Sequence, residues 1–484
     1  MIKKLLSIIS VILFTVSIAF SQDAKKNTPT EMNEDELFGK EETVKAKETV
    51  VDDQINKTVD KNQISFNGFL NSRMMYDMNR DWMSGTGASL QYNTFTPYMQ
   101  GNFALDARLT GGYKGYINVS ANYYPNGTSQ TLQLQTYNPA TLQAGSSTLY
   151  LQNSTSSFGI NEMFIDLNIA KAVYFRVGKQ NLVWGTGLLW VPTDLINIDK
   201  KNILDPSQVR QGTYGLKMTI PFGTRANWYT YMKLDPEQNV TQFTLANKFE
   251  LLLGVTELAL SAVINQYKIP VFGFNFTTRL FTLDFRGEVS LSYGDNTQKL
   301  DLEKLSNVNT SMPTFYLSNQ LVPKVSFGFG RAFELFSIPN NFRFDVEFFY
   351  NYAGYNSSVF GRSITVLSTS APFFQNVSIN QMFASSSLYT PYYYGMYYAG
   401  LFLSLAQVGT SDLSMGLNYI INLSDYSSVL SFSTNYMLHY NLTLTLLLNG
   451  YFGYPNTEFT TYFTSTNAIA ARGMSAELLV KLAF

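Results

Sequence analysis

Carboxylates recur at alternate positions in two stretches of this chain. Asp284 and Glu288 flank Arg286, and Asp345 and Glu347 follow Arg343. Such groups could do acid–base or metal chemistry, but both need partners. The chain has one histidine, His439, and no cysteine. A hydrolase built on a barrel needs a histidine held beside a nucleophile or an activated water. His439 falls in a short turn and does not meet that need. Metal ligation would require His, Cys and carboxylate clusters, and none appears. Gly328-Phe329-Gly330 has no helix after it, so it is not a phosphate cradle. No catalytic, cofactor-binding or metal-binding residue is expected, and the chain is not read as an enzyme.

The same carboxylates make sense as one face of a strand. Phe342, Phe344, Val346, Phe348 and Tyr350 alternate with Arg343, Asp345 and Glu347. Phe281, Leu283, Phe285, Val289, Leu291 and Tyr293 alternate with Thr282, Asp284, Arg286, Glu288, Ser290 and Ser292. Near the start, Ile64, Phe66, Leu70, Met74 and Tyr76 oppose Asn67, Asn71, Arg73 and Asp77. The period is two, not 3.6, over many segments. Charged stripes beside greasy ones suit a wide barrel, with one face in lipid and the other in water.

About eighteen such segments can be counted, with 16 to 18 as the range. The connections after even-numbered segments are mostly short: Gly111-Gly112, Lys171, Pro221 to Arg225, Gly409 to Ser411, and His439-Tyr440. Those after odd-numbered segments are often long: 78–98, 124–159, 181–209, 294–321, 352–393 and 453–471. Short turns on one rim and long loops on the other are the asymmetry of a bacterial outer-membrane barrel. The fold class is therefore all-β, a transmembrane antiparallel up-and-down β-barrel.

Both chain ends agree. Lys3 and Lys4 precede an apolar run from Leu5 to Ala19, and Ala19-Phe20-Ser21 offers a cleavage site before Gln22. Residues 1–21 read as a signal peptide. Residues 22–62 carry eleven acidic and seven basic residues with Phe38 as the one aromatic, and read as an acidic, flexible periplasmic segment. A short helix near Glu41 to Lys61 is possible there, but the segment is far too short for a plug domain. Residues 63–484 form the barrel. At its end Ala476, Leu478, Val480, Leu482 and Phe484 make one apolar stripe, with Glu477 and Lys481 on the other. This is the expected closing strand, with Phe484 at the periplasmic rim as the barrel closure. An even count puts both termini in the periplasm.

Composition supports this class. Aromatics are 15% of residues and charged residues 14%, yet mean hydropathy is −0.05. An alternating barrel averages to such a value; a helical membrane protein would be clearly apolar.

One stretch is more distinctive. Arg176-Val177-Gly178-Lys179-Gln180 leads to Trp184-Gly185 and then Trp190-Val191-Pro192-Thr193-Asp194. It resembles a Gly-(Arg/Lys)-Gln, Trp-Gly, Pro-x-Asp pattern of porin-like outer-membrane proteins of uncharacterised families. Glu34-Asp35-Glu36-Leu37-Phe38-Gly39 is similar to acidic Leu/Phe-Gly segments of some spirochaete envelope proteins, and a spirochaete or Bacteroidetes-like origin is suggested. The resemblance implies a loop that leaves a strand at the outer rim and folds into the lumen. Lys179, Trp184, Trp190 and Asp194 are then candidate constriction residues, with Asp199, Lys200 and Lys201 on the same loop. The plainer alternative makes the two tryptophans interfacial belt residues. Tyr392 to Tyr398 has the same two readings, an aromatic girdle or a stacking platform.

Candidate lumen-lining residues are Arg73, Arg108, Glu162, Asp166, Arg176, Lys217, Lys248, Asp284, Arg286, Glu288, Arg343, Asp345 and Glu347. Neither sign dominates, so no strongly ion-selective ring and no nucleic-acid partner are expected. The expected function is passive diffusion of small solutes through a lumen narrowed by inward loops. Two alternatives are a transporter of hydrophobic molecules such as fatty acids, and a surface adhesin acting through its long loops. Expected partners are outer-membrane lipids, the barrel-assembly machinery at the last strand, an unidentified small solute, and other copies in an oligomer.

Overall fold

The computed structural model describes residues 62–79, 94–125, 129–138, 143–152, 156–182, 184–196, 204–205, 208–234, 243–266, 268–296, 299–300, 315–316, 319–360, 363–367, 374–378, 389–462 and 470–484. The expected signal peptide and all of the acidic segment except Asn62 lie outside them, as do Asp199, Lys200 and Lys201.

Eighteen strands follow one another around a closed antiparallel sheet. They are β1 (Gln63–Asn79), β2 (Thr94–Leu109), β3 (Tyr113–Tyr123), β4 (Ser156–Ile169), β5 (Val173–Gln180) and β6 (Thr213–Phe222). Next come β7 (Ala226–Leu234), β8 (Phe243–Leu253), β9 (Thr256–Asn265), β10 (Val271–Leu280), β11 (Leu283–Tyr293) and β12 (Leu321–Leu335). The ring ends with β13 (Ile338–Asn351), β14 (Tyr397–Leu405), β15 (Leu413–Asn422), β16 (Ser427–His439), β17 (Leu442–Phe452) and β18 (Ala470–Ala483). Closure is made by β18 against β1, from Phe69↔Ala483 to Asp77↔Ser475 without a register slip. A closed ring satisfies every strand edge, which an isolated sheet in hydrocarbon could not do.

The connections after even-numbered strands are short and fall on one rim; on the other rim the turn 423–426 and the connection 266–270 are also short. Gly111 and Gly112, at φ +85° and +80°, turn β2 into β3 with the left-handed backbone that a tight hairpin needs. Phe281 and Thr282 turn β10 into β11, so Phe281, expected in a strand, is a fully exposed turn residue. Pro221 likewise belongs to β6, and the turn is Gly223 to Arg225. On the other rim, 124–155 and 352–396 contain short hairpins, pairing 129–138 with 143–152 and 363–367 with 374–378.

The outward stripe is apolar and exposed. Phe66, Leu70 and Met74 on β1 and Leu260 and Ile264 on β9 are among its residues. The opposite stripe carries the buried polar groups, including Asn71, Asp106, Lys248, Arg286 and Asn449. One sheet thus presents a dry exterior and a wet interior, as period-two patterning requires.

Phe484 completes the closure. Its N–H donates to Gly68 O at 3.0 Å and its carbonyl accepts from Gly68 N at 2.9 Å. Its ring lies 5.7 Å from Phe66 and 5.9 Å from Phe103 on the outer face. Phe484→Ala should lower stability by about 1 kcal/mol, the worth of the ring contacts, because the backbone pair remains. The urea midpoint in micelles should fall for Ala and hold for Tyr. An unchanged midpoint for Ala would show that the ring contributes nothing to closure.

Candidate functional site

The chain leaves β5 at Gln180, and the next wall strand begins at Thr213. In a ring of eighteen, β14 is diametrically opposite β5. Trp190 nonetheless packs on Tyr398 of β14 at 5.7 Å and stacks on Phe349 of β13 at 5.8 Å. A segment anchored at β5 reaches that wall only by passing through the interior. Residues 184–196 therefore form an inward strap, and Trp190 is fully buried within it. The belt reading of the two tryptophans is excluded by this placement.

Two aromatic anchors seat the strap. Trp184 packs with Leu182, Ile196, Tyr231, Ala246 and Val263, against β7 to β9. Trp190 packs with Phe349, Tyr398, Phe402, Ile420, Val429 and Phe459. Its indole N–H donates to Tyr392 O at 2.8 Å.

Between the anchors, wall glutamates accept the strap's backbone. Glu288 of β11 accepts from Thr186 N, from Gly187 N at 2.6 Å and from Thr193 Oγ1 at 2.7 Å. Glu347 of β13 accepts from Leu188 N at 2.8 Å and Trp190 N at 2.9 Å, with Leu189 N at 3.4 Å. Glu162 of β4 accepts from Asn181 N at 2.8 Å, where the strap begins. Close approach demands glycine. At Gly185, φ is +91° and a Cβ would sit 2.7 Å from Glu288 Oε1.

Glu288 and Glu347 were expected to line open lumen. They are on the inner face, but the strap covers them to 1% exposure each. Lys179 is a second correction. It lies in β5, not in the loop, and pairs with exposed Met163 and Tyr214 on the outer stripe. Its Nζ is 5.4 Å from the Tyr214 ring. A long cation near a strand end can carry its charge to the interface this way. Asp194 does belong to the strap, where Arg210 donates to it at 2.7 Å.

The other charged candidates sit on the inner face in mixed pairs. Arg73 contacts Glu477 at 2.8 Å and Asp205 at 3.4 Å. Arg108 and Lys114 share Asp106, and Arg176 holds Asp166 at 2.6 Å. Lys217 stands 5.3 Å from the Tyr229 ring, and Lys248 pairs with Glu250 at 2.5 Å. Arg286 reaches Asp345 at 2.9 Å across the intervening β12, and Arg343 bridges Asp345 and Asp284. Gly330 makes that crossing possible: a Cβ there would lie 2.1 Å from Asp345 Oδ1. The Gly328-Phe329-Gly330 stretch is thus a notch in a strand.

The Tyr392 to Tyr398 stretch is interior, apart from half-exposed Tyr397. Glu458, from the connection after β17, gathers it. Tyr392 N donates to Glu458 at 3.0 Å, Tyr398 Oη at 2.7 Å and Asn422 Nδ2 at 2.8 Å. Glu458 N donates to Asp425 at 2.7 Å. Burial and the nearby Asp425 carboxylate outweigh the donors and push the Glu458 carboxyl up to about 8. Glu458, Asp425 and Asp205 were not among the expected residues. Their signal was indirect: Phe349, Phe402, Ile420 and Val429 are apolar residues on the wet stripe, which something must cover.

No protein-family profile matches the chain, and no curated protein matches it. Among solved structures, it is similar to OccAB1 of Acinetobacter baumannii, with 8% identity, TM-score 0.49, and 87% of this chain and 96% of that one covered. It is also similar to OpdK of Pseudomonas aeruginosa, solved with vanillate, at 9% identity, TM-score 0.49, and coverage of 87% and 98%. A third similar structure, OccK2 of the same organism in complex with glucuronate, has 9% identity, TM-score 0.47, and coverage of 87% and 98%.

Glu347→Leu should free the strap, because it leaves buried N–H groups without an acceptor. The cost is about 2–3 kcal/mol, so amide exchange at 188–190 should quicken about a hundredfold. Mass spectrometry would read this, and unchanged protection would show that the aromatic anchors alone hold the strap. A pH dependence follows at Glu458. Its folded-state pKa is raised, so its contribution is fully present below about 4.5 and is lost as pH rises through about 8. Protection factors at 389–396, with intrinsic base catalysis divided out, should fall above pH 8 in the native chain and stay level in Glu458→Gln. Equal pH profiles for the two would sink this assignment.

Proposed function

We propose that the protein is a porin-like channel of the bacterial outer membrane, passing small solutes by passive diffusion. The observation that carries this reading is the closed ring of eighteen strands with an apolar outer stripe and a charged, hydrogen-bonding inner one. Barrels of this size enclose more space than wall side chains fill. The strap narrows that space on the side of β7 to β14. On the β1 to β4 side an open cavity of about 380 Å³ remains between the wall and Asp205, Gln208, Val209 and Gln211. In this reading the short turns and both termini face the periplasm, the long connections face outward, and the last strand is the handle for the assembly machinery.

The paired inner charges favour weak ion selectivity over a single-sign filter. Transport of hydrophobic molecules is less favoured, because the interior tyrosines of 392–398 pack against Trp190, Phe459 and Glu458 and do not line an empty apolar pocket.

Purified protein in a planar bilayer should give stable ohmic steps in potassium chloride. Replacing 184–196 by a short Gly-Ser link should raise the step several-fold. A bilayer that stays sealed with properly folded, heat-modifiable protein would overturn the channel reading.

A further inference from the structure

We infer that the passage beside β1 to β4 recognises neutral polyhydroxylated solutes of monosaccharide size in preference to carboxylates; this rests on the channel reading above. The cavity there is lined chiefly by amides and hydroxyls, with Gln100, Ser120, Asn122, Asn161, Gln208 and Gln211 prominent. Each amide side chain offers a donor and an acceptor together. A sugar hydroxyl is likewise both, so neighbouring hydroxyls can be matched by one amide. A carboxylate only accepts, and half of each amide would then face it with the wrong polarity.

The wall is built to hold these amides in place. Asn161 is the extra residue of a bulge between β3 and β4, where the register jumps from Asn118↔Glu162 to Val119↔Ile160. The bulge turns Asn161 inward, donating to Asn118 Oδ1 at 2.9 Å and accepting from Ser120 Oγ at 3.1 Å. Asn122 accepts from Tyr98 Oη at 2.9 Å. Beside it the Tyr98 and Tyr124 rings meet at 4.9 Å and 33°. Aromatic faces next to a rigid hydrogen-bonding row suit a molecule with polar edges and C–H faces.

The charge in the lining argues the same way. Arg73 is its guanidinium, and it is shared between Asp205 and Glu477. With Asp205 in the lining and Glu477 behind, the local field does not favour an anion.

Three probes of one size separate the charges: glucose, gluconate and glucosamine. Full-length protein in liposomes should show glucose-driven swelling several-fold faster than gluconate-driven swelling, in the same ionic background. Tyr124→Ala and Gln208→Leu should each bring the glucose-to-gluconate ratio towards one while potassium chloride conductance persists. Tyr124→Phe should keep the native ratio. Conducting protein that passes gluconate as fast as glucose would overturn this inference and leave the channel reading standing. Protein that neither conducts nor swells liposomes in any probe would overturn both.

Discussion

The interior arrangement depends on two buried carboxylates accepting the backbone of one segment. Glu288 and Glu347 stand on β11 and β13, and the strap lays six N–H groups and one hydroxyl onto them. A carboxylate taken out of water is costly unless its lone pairs are filled. An irregular segment inside a barrel has the complementary need, since its N–H groups find no ladder partner. Each solves the other's problem. Arg286, 3.7 Å from Glu347, adds a countercharge.

That solution shapes the lumen. With the strap fixed on the β7 to β14 half, the opposite half keeps its polar wall uncovered. The aromatic anchors add dispersion and apolar burial at either end, so the segment cannot slide along the wall. Glu458 repeats the device at the mouth, fastening 389–396 to the turn at Asp425. Carboxylates that a simple lumen reading would treat as a charge filter are used here as fasteners.

The ladders below the strap are a different use of charge. Asp166 with Arg176, and Asp284 with Arg343, are part-exposed pairs on the inner wall. They keep the lumen wet without giving it one sign, and pairs this exposed contribute little to stability.

Much of this was legible in the chain itself. Alternation located all eighteen strands, because lipid outside and water inside impose opposite demands on successive residues. Connection lengths sorted the two rims, and the closing stripe ending at Phe484 was visible as such. The local pattern from Arg176 to Asp194 raised the inward loop without deciding it. What alternation could not decide was which wet-stripe residues stay wet. Glu288 and Asp284 share a strand face, yet one is sealed under the strap and the other is part-exposed. Lys179 was grouped with the loop by the Gly-Lys-Gln pattern, although the strand runs to Gln180; that its side chain faces outward is set by pairing with β4 and β6. Contacts between the strap and β14 are remote in sequence, and only closure of the ring sets that wall opposite β5. A period-two pattern records the side a residue faces, whereas its neighbours across the lumen are settled by tertiary structure.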